Sequence, residues 1–279
     1  MKKKSRPLSA VKYIFLIVVS FISIFPFLWM IISATNTARE VNAGKLTLGA
    51  HLSENLNSLF HSELSFGTSL GYSALIAVIT TVLALLISSI AGYGFEVFRS
   101  KARDRVFNIL LLSMMVPFCA LMIPLYRMFS TLGKSGLTAF GLNTLFAVII
   151  PSICTAFLIF FFRQNTKSFP KDILEAARID GLNEPGIFLH MYMPVMKSTY
   201  AAGAIITFMN SWNNYLWPLV ALQDPQKRTV PLILSAMGSS YTPDYGMIMA
   251  GIVIATLPTG IIFFVMQKQF VAGMIGSVK

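Results

Sequence analysis

The chain has 279 residues, of which 55% are apolar and only 12% charged, and its mean hydropathy is +0.70. Water-soluble domains carry about 25% charged residues, so this composition excludes a soluble domain and points to an all-α integral membrane protein. The net charge of +11 taken alone suggests a nucleic-acid partner, but its distribution along the chain does not.

Roughly 20 consecutive apolar residues cross a bilayer as a helix. Six segments meet that measure: about 11–33, 69–93, 106–126, 143–162, 198–222 and 246–267. The first follows the basic start MKKKSR and resembles a signal peptide. Its apolar run exceeds the usual 7–15 residues and no small-x-small cleavage site follows, so the sequence predicts an uncleaved span. With the N-terminus inside, the inner segments hold 16 basic residues (Lys2, Lys3, Lys4, Arg6, Lys12, Arg99, Lys101, Arg103, Arg105, Arg163, Lys167, Lys171, Arg178, Lys197, Lys268 and Lys279). The outer segments hold the other six: Arg39, Lys45, Arg127, Lys134, Lys227 and Arg228. This asymmetry follows the positive-inside rule. It predicts both termini in the cytoplasm, with residues 1–10 and 268–279 as tails, and a lipid partner rather than nucleic acid.

Pro26, Pro117, Pro124, Pro151 and Pro258 fall in or beside predicted spans. They read either as hinges around a pathway or as ordinary kinks. Cys119 and Cys154 lie in predicted spans and read as small apolar packing residues. No acidic or basic residue stands mid-span, and His51, His61 and His190 all lie outside the spans. Neither HExxH, GxSxG nor GxxxxGK[ST] is found. The sequence therefore offers no catalytic residue, no metal site and no energy source of its own.

The segment 168–194 reads as helix, break, helix. Ser168 is the expected N-cap, with Pro170 in the first turn and Asp172 and Glu175 near the positive end of the dipole. Gly181 is a natural left-handed stop. Asn183 caps a second helix, with Pro185 in its first turn, and Pro194 ends it. Three- and four-residue spacing puts Ile173, Ala176, Ala177 and Asp180 on adjoining parts of one face. The residues alone allow two readings: a rigid knob that passes force from a cytoplasmic partner, or an amphipathic hairpin lying on the membrane.

EAARIDG at 175–181, followed by MP after eleven residues, resembles the EAA loop of permease subunits in binding-protein-dependent ABC importers. Glu175, Ala176, Ala177, Asp180, Gly181 and Pro194 match that pattern, and Met193 stands where Leu is usual. WNNYLWPLV at 212–220, TVPLILS at 229–235 and the ending QKQFVAGMIGSVK are similar to the second permease of the pair in the maltose-type, carbohydrate-uptake branch.

The resemblance implies a multi-pass protein of the bacterial cell membrane that forms half of a sugar pathway. Its partners would be a homologous permease, two cytoplasmic ABC ATPases that bind ATP and Mg, and an extracytoplasmic solute-binding protein. The chain itself would bind no cofactor. The loop would act as a coupling helix docked on an ATPase, with Glu175 as polar contact, Ala176 and Ala177 allowing close approach and Gly181 setting the turn. Gly273 and Gly276 would keep the tail pliable near the ATPase. Asn210, Asn213 and Asn214, with Trp212, Tyr215 and Trp217 nearby, are candidates for the substrate path, because amides bond sugar hydroxyls and aromatic faces stack on sugar rings. Asn210 and Asn214 are one helical turn apart. The same residues also suit interhelical bonding and an interfacial aromatic belt. Rival readings are an ABC permease for a different small solute, a passive channel or secondary carrier, and a membrane scaffold without transport.

Overall fold

In the computed structural model, the backbone is described for residues 6–275 and the side chains for residues 11–268. Everything regular among them is helical. The chain divides into two units, one comprising the residues up to Phe66 with Ile233–Leu257, the other Gly67–Leu232 with the residues from Pro258 onward.

The first unit opens with α1 (Arg6–Ala34). Its membrane-length part, Val11–Ala34, is unburied along its most apolar stretch, so its side chains face outward nearly throughout. The segment after it is ordered by short-range polar contacts. Thr37 and Glu40 form a capping box for α2 (Ala38–Asn42). Lys45 Nζ lies 2.7 Å from Glu40 Oε1, and this hydrogen bond, with those from Thr37, lowers the Glu40 carboxyl to about 2. Within α3 (Leu52–Phe60), Asn55 Nδ2 donates to the carbonyls of Ala34 and Asn36 at 2.8 and 2.9 Å. The asparagine thus satisfies carbonyls left open where α1 ends.

In the second unit, α4 (Phe66–Val97) is a 32-residue helix lying almost entirely within it. α5 (Lys101–Ser113) and α6 (Phe118–Lys134) follow. The span predicted over 106–126, with Pro117 as a hinge or kink, falls on these two helices, and the chain bends by 99° between them. Pro117, the N-cap of α6, cannot continue the preceding helix and fixes the bend. α7 (Leu145–Ile153) and α8 (Ala156–Thr166) together make one membrane-length run. They are followed by α9 (Lys171–Ile179), α10 (Glu184–Ile187), a π-turn over Phe188–Tyr192 and α11 (Met193–Val195). α12 (Lys197–Trp212) and α13 (Leu216–Ala221) occupy the segment read as a span over 198–222. The helix is interrupted after Trp212, and the polar Asn213–Asn214 pair lies in the break. α14 (Val230–Gly238) and α15 (Tyr245–Ile275) complete the chain.

Among the described residues, four helices are long and apolar enough to cross a membrane, or five with the bent pair counted as one span. Pro26, Pro124, Pro151 and Pro258 sit inside helices. Cys119 and Cys154 are exposed rather than packed. Cys119 is in the first turn of α6 and Cys154 is the C-cap of α7. α15 runs on through Gly273, which is helical; Gly276 lies outside the described residues, as do Lys2, Lys3 and Lys4.

The core of the second unit gathers Ile76, Phe129, Ala147, Ile149, Trp217 and Leu222. Trp217 is 1% exposed and donates its indole N–H to the Ala147 carbonyl at 2.8 Å. A buried indole needs such an acceptor. α4 and α8 meet at Gly92, where a Cβ would lie 2.6 Å from that of Phe162. Only glycine permits that approach.

Candidate functional site

The hairpin at 170–195 is built by its caps. Pro170, not Ser168, is the N-cap of α9. The Ser168 hydroxyl instead donates back to the Asn165 carbonyl at 2.7 Å. Gly181 takes φ +82°. Leu182 N–H bonds the Ala177 carbonyl and Gly181 N–H that of Arg178, which is the Schellman closure. No atom lies near the space a Cβ would occupy there, so a side chain at 181 would meet backbone strain alone, roughly 1–2 kcal/mol. Asn183 Oδ1 accepts from Gly186 N–H at 2.9 Å and starts α10. Pro194 does not end this helix. The chain widens into the π-turn, whose closing bond runs from Met193 N–H to the Phe188 carbonyl, and continues helically past the proline to Val195. π-turns of this kind are rare and recur at functional sites.

The two alanines of the motif, about 100° apart on the helix, fall on either side of its burial boundary: Ala177 is buried and Ala176 exposed. Ala177 is buried with Leu174 against Tyr93, Ile187, Phe188 and Tyr192. Tyr93 meets Tyr192 edge-on, centroids 4.9 Å apart. Ala176, Glu175 and Asp180 are exposed. Beside them Ile179 is 85% exposed, an apolar residue at the centre of the outward face that sequence reasoning passed over.

Polar contacts hold this orientation. Glu184 accepts from Arg178 Nε at 2.8 Å and from the Tyr93 hydroxyl at 3.1 Å, and the contact raises the Arg178 guanidinium further. Tyr192 shares a 2.7 Å hydrogen bond with Thr166, and burial pushes its hydroxyl up.

A second feature that the sequence reading missed anchors the neighbouring helix ends. Arg163, 6% exposed, bonds Glu96 at 3.3 Å and Asp104 at 2.5 Å. Its guanidinium lies 4.0 Å from the centroid of the Phe107 ring. The only signal in the sequence was an arginine closing the apolar run FLIFFF.

The substrate-path candidates separate. Asn210 and Asn214 line one cavity of about 130 Å³. Thr207 and Ser211 face the same space, as do Thr80 from α4 and Ser152 and Thr155 around the α7–α8 break. Thr80 is buried and its hydroxyl finds no protein partner. Every polar group on this wall is neutral. Asn214 lies just beyond α12, not on it. Asn213 is exposed and bonds the Met209 carbonyl at 2.9 Å. Trp212 is buried and stacks on Phe208, centroids 5.7 Å apart. Tyr215 begins α13. These three do not line the cavity, nor does Trp217, which is core.

Long apolar helices, a stiff hairpin set between them and a neutral polar cavity define a multi-pass membrane component of the transport class. Residues 84–276 match the family of binding-protein-dependent transport system inner membrane components, and the chain belongs to that family. It is 50% identical to the lactose transport system permease protein LacG of Rhizobium radiobacter, over 96% of each chain. It is 36% identical to the arabinooligosaccharides transport system permease protein AraQ of Halalkalibacterium halodurans, over the whole of both. The fold also matches a chain from the crystal structure of a bacterial ABC transporter involved in the import of the acidic polysaccharide alginate. There the TM-score is 0.84 at 23% identity, covering 97% of this chain and 100% of that one.

Proposed function

We propose that this chain is a permease subunit of an ATP-driven sugar importer, and that it takes lactose-like or short oligosaccharide cargo. In this reading it spans the bacterial membrane six times with both ends in the cytoplasm, the two interrupted segments counting as spans. It pairs with a homologous permease to enclose the pathway. Two cytoplasmic ATPases bind the ATP and Mg, an extracytoplasmic binding protein delivers the sugar, and this chain binds neither nucleotide nor metal.

The observation that carries the reading is the two-sided hairpin. Its inner face is packed into the permease through Leu174 and Ala177, while Glu175, Ala176, Ile179 and Asp180 stand free for a partner. Closure of the ATPase pair would pull on that outer face, and the packed inner face would carry the displacement to α4 and α12. The names of the relatives support a sugar cargo, and the uncharged wall around Asn210 and Asn214 suits hydroxyl-rich neutral molecules.

Uptake of labelled lactose and oligosaccharides by cells carrying the whole transporter tests this. Glu175→Lys and Gly181→Asp should abolish uptake and ATPase association while the protein stays in the membrane. Asn210→Ala and Asn214→Ala should shift preference among sugars. A parallel fall for every sugar, tracking assembly, would remove the two amides from the path.

A further inference from the structure

A cleft of about 330 Å³ opens beside α9. Its cationic side chains are Arg99, Lys167, Lys171 and Arg178, against the carboxylates of Glu96 and Glu175. Glu96 is already committed to Arg163, Arg99 to Asp104 and Glu96 at 3.7 and 3.9 Å, and Arg178 to Glu184, which leaves Lys167 and Lys171 against Glu175 alone. Lys167 and Lys171 form no ion pair among the described residues. The cleft therefore keeps a surplus of positive charge that the chain does not neutralise.

The membrane-length runs end at Val97 and Thr166, and both residues line the cleft. It therefore sits at the shared end of α4 and α8, beyond their apolar stretches. Phe169 and Leu174 supply an apolar wall. Pro170 gives α9 no side-chain cap, so the first-turn N–H groups beside Lys171 add positive potential. Basic pockets at the ends of membrane helices hold lipid headgroups.

We infer that this cleft binds the phosphate of an anionic phospholipid, with Lys167 and Lys171 as its principal contacts and the apolar wall against the glycerol end of the acyl chains. On the topology proposed above the cleft faces the cytoplasmic leaflet. A lipid seated there would brace the root of α9 beside Glu175, which lines the same cleft.

The assembled transporter should be placed in nanodiscs of an equal mixture of phosphatidylcholine and phosphatidylglycerol, and the lipids it retains weighed by native mass spectrometry. The wild type should retain phosphatidylglycerol over phosphatidylcholine. Lys167→Gln and Lys171→Gln should each reduce that preference about fivefold, and Lys→Arg at either position should preserve it. No preference in the wild type overturns the inference without recourse to a variant, as does a preference that survives the double glutamine change. Labelled inorganic phosphate bound without lipid preference would make the ligand a free ion and overturn the lipid assignment. Loss of the ATPase from the double variant at unchanged lipid retention would give the cleft to an acidic side chain of that subunit. The readout is independent of the cargo, so a failed sugar assignment and a failed lipid site remain distinguishable.

Discussion

Ala176 and Ala177 are the same residue type one position apart, yet a larger side chain should do different harm at each. Leu at 177 must enter a filled cluster behind the helix, and overpacking of this kind costs about 1–3 kcal/mol. Leu at 176 projects from the exposed face and leaves the hairpin's own packing intact. Hydrogen exchange across 171–195 should rise for Ala177→Leu and stay unchanged for Ala176→Leu. Co-purification of the ATPase should fall for Ala176→Leu in a correctly folded transporter. If both variants loosen the hairpin equally, the two-sided arrangement is wrong. The motif letters were legible in the sequence, but their directions were not. Spacing assigns residues to a helix face only relative to one another, and the absolute orientation comes from Tyr93, on a helix about 80 residues earlier, reaching Glu184 and packing on Tyr192.

At the scale of elements, α4, α5 and α8 are tied at one end by a single guanidinium. Arg163 itself is buried, but Arg99 also lies 3.9 Å from Glu96 and 3.7 Å from Asp104, so its loss leaves the two carboxylates with a weaker, more exposed partner. Arg163→Met should therefore lower the apparent Tm of the purified complex. Adding Glu96→Gln and Asp104→Asn should recover part of the loss, because the two carboxylates no longer compete for one arginine. An unchanged Tm in the single variant would show that the cluster is dispensable. Sequence patterning found the apolar lengths of α1, α4, α7–α8 and α15 because hydropathy accumulates over a long window. Pro117 marked the bend in the first interrupted segment, but hydropathy missed the break at Asn213–Tyr215 because a break needs only a few residues, which the same window averages away. The cavity was half-legible for the same reason: Asn210 and Asn214 were visible, while Thr80, Ser152 and Thr155 reach it only through tertiary packing.

For the molecule as a whole, the division of 16 basic residues from six gives a topology that can be tested directly. With Cys119 and Cys154 replaced by serine, a single cysteine at the exposed Ser53 should react with a membrane-impermeant maleimide added outside intact cells. One at Asp180 should react only after the cells are opened. The reverse pattern would invert the proposed orientation and detach the hairpin from any cytoplasmic ATPase. The exposed apolar stretch of α1 adds a requirement at this scale, because it is unburied over its most apolar window and needs lipid or another subunit to cover it.

From Glu184 to Trp212 the chain is a nearly continuous helical rod, with the hairpin at one end and Asn210 near the other, and the π-turn places one residue more in it than a regular helix would. Each residue of an α-helix turns its successors by about 100°. The wider turn absorbs that extra residue, as slack in a cable absorbs added length, so the segments on either side keep their phase. Deleting a single residue from 188–192 would close the turn to α-helical width with the hairpin and Asn210 still in step, whereas deleting one from the regular turns at 198–208 would rotate Asn210 by about 100°, so that a pull delivered at one end would arrive at the other on the wrong side of the helix.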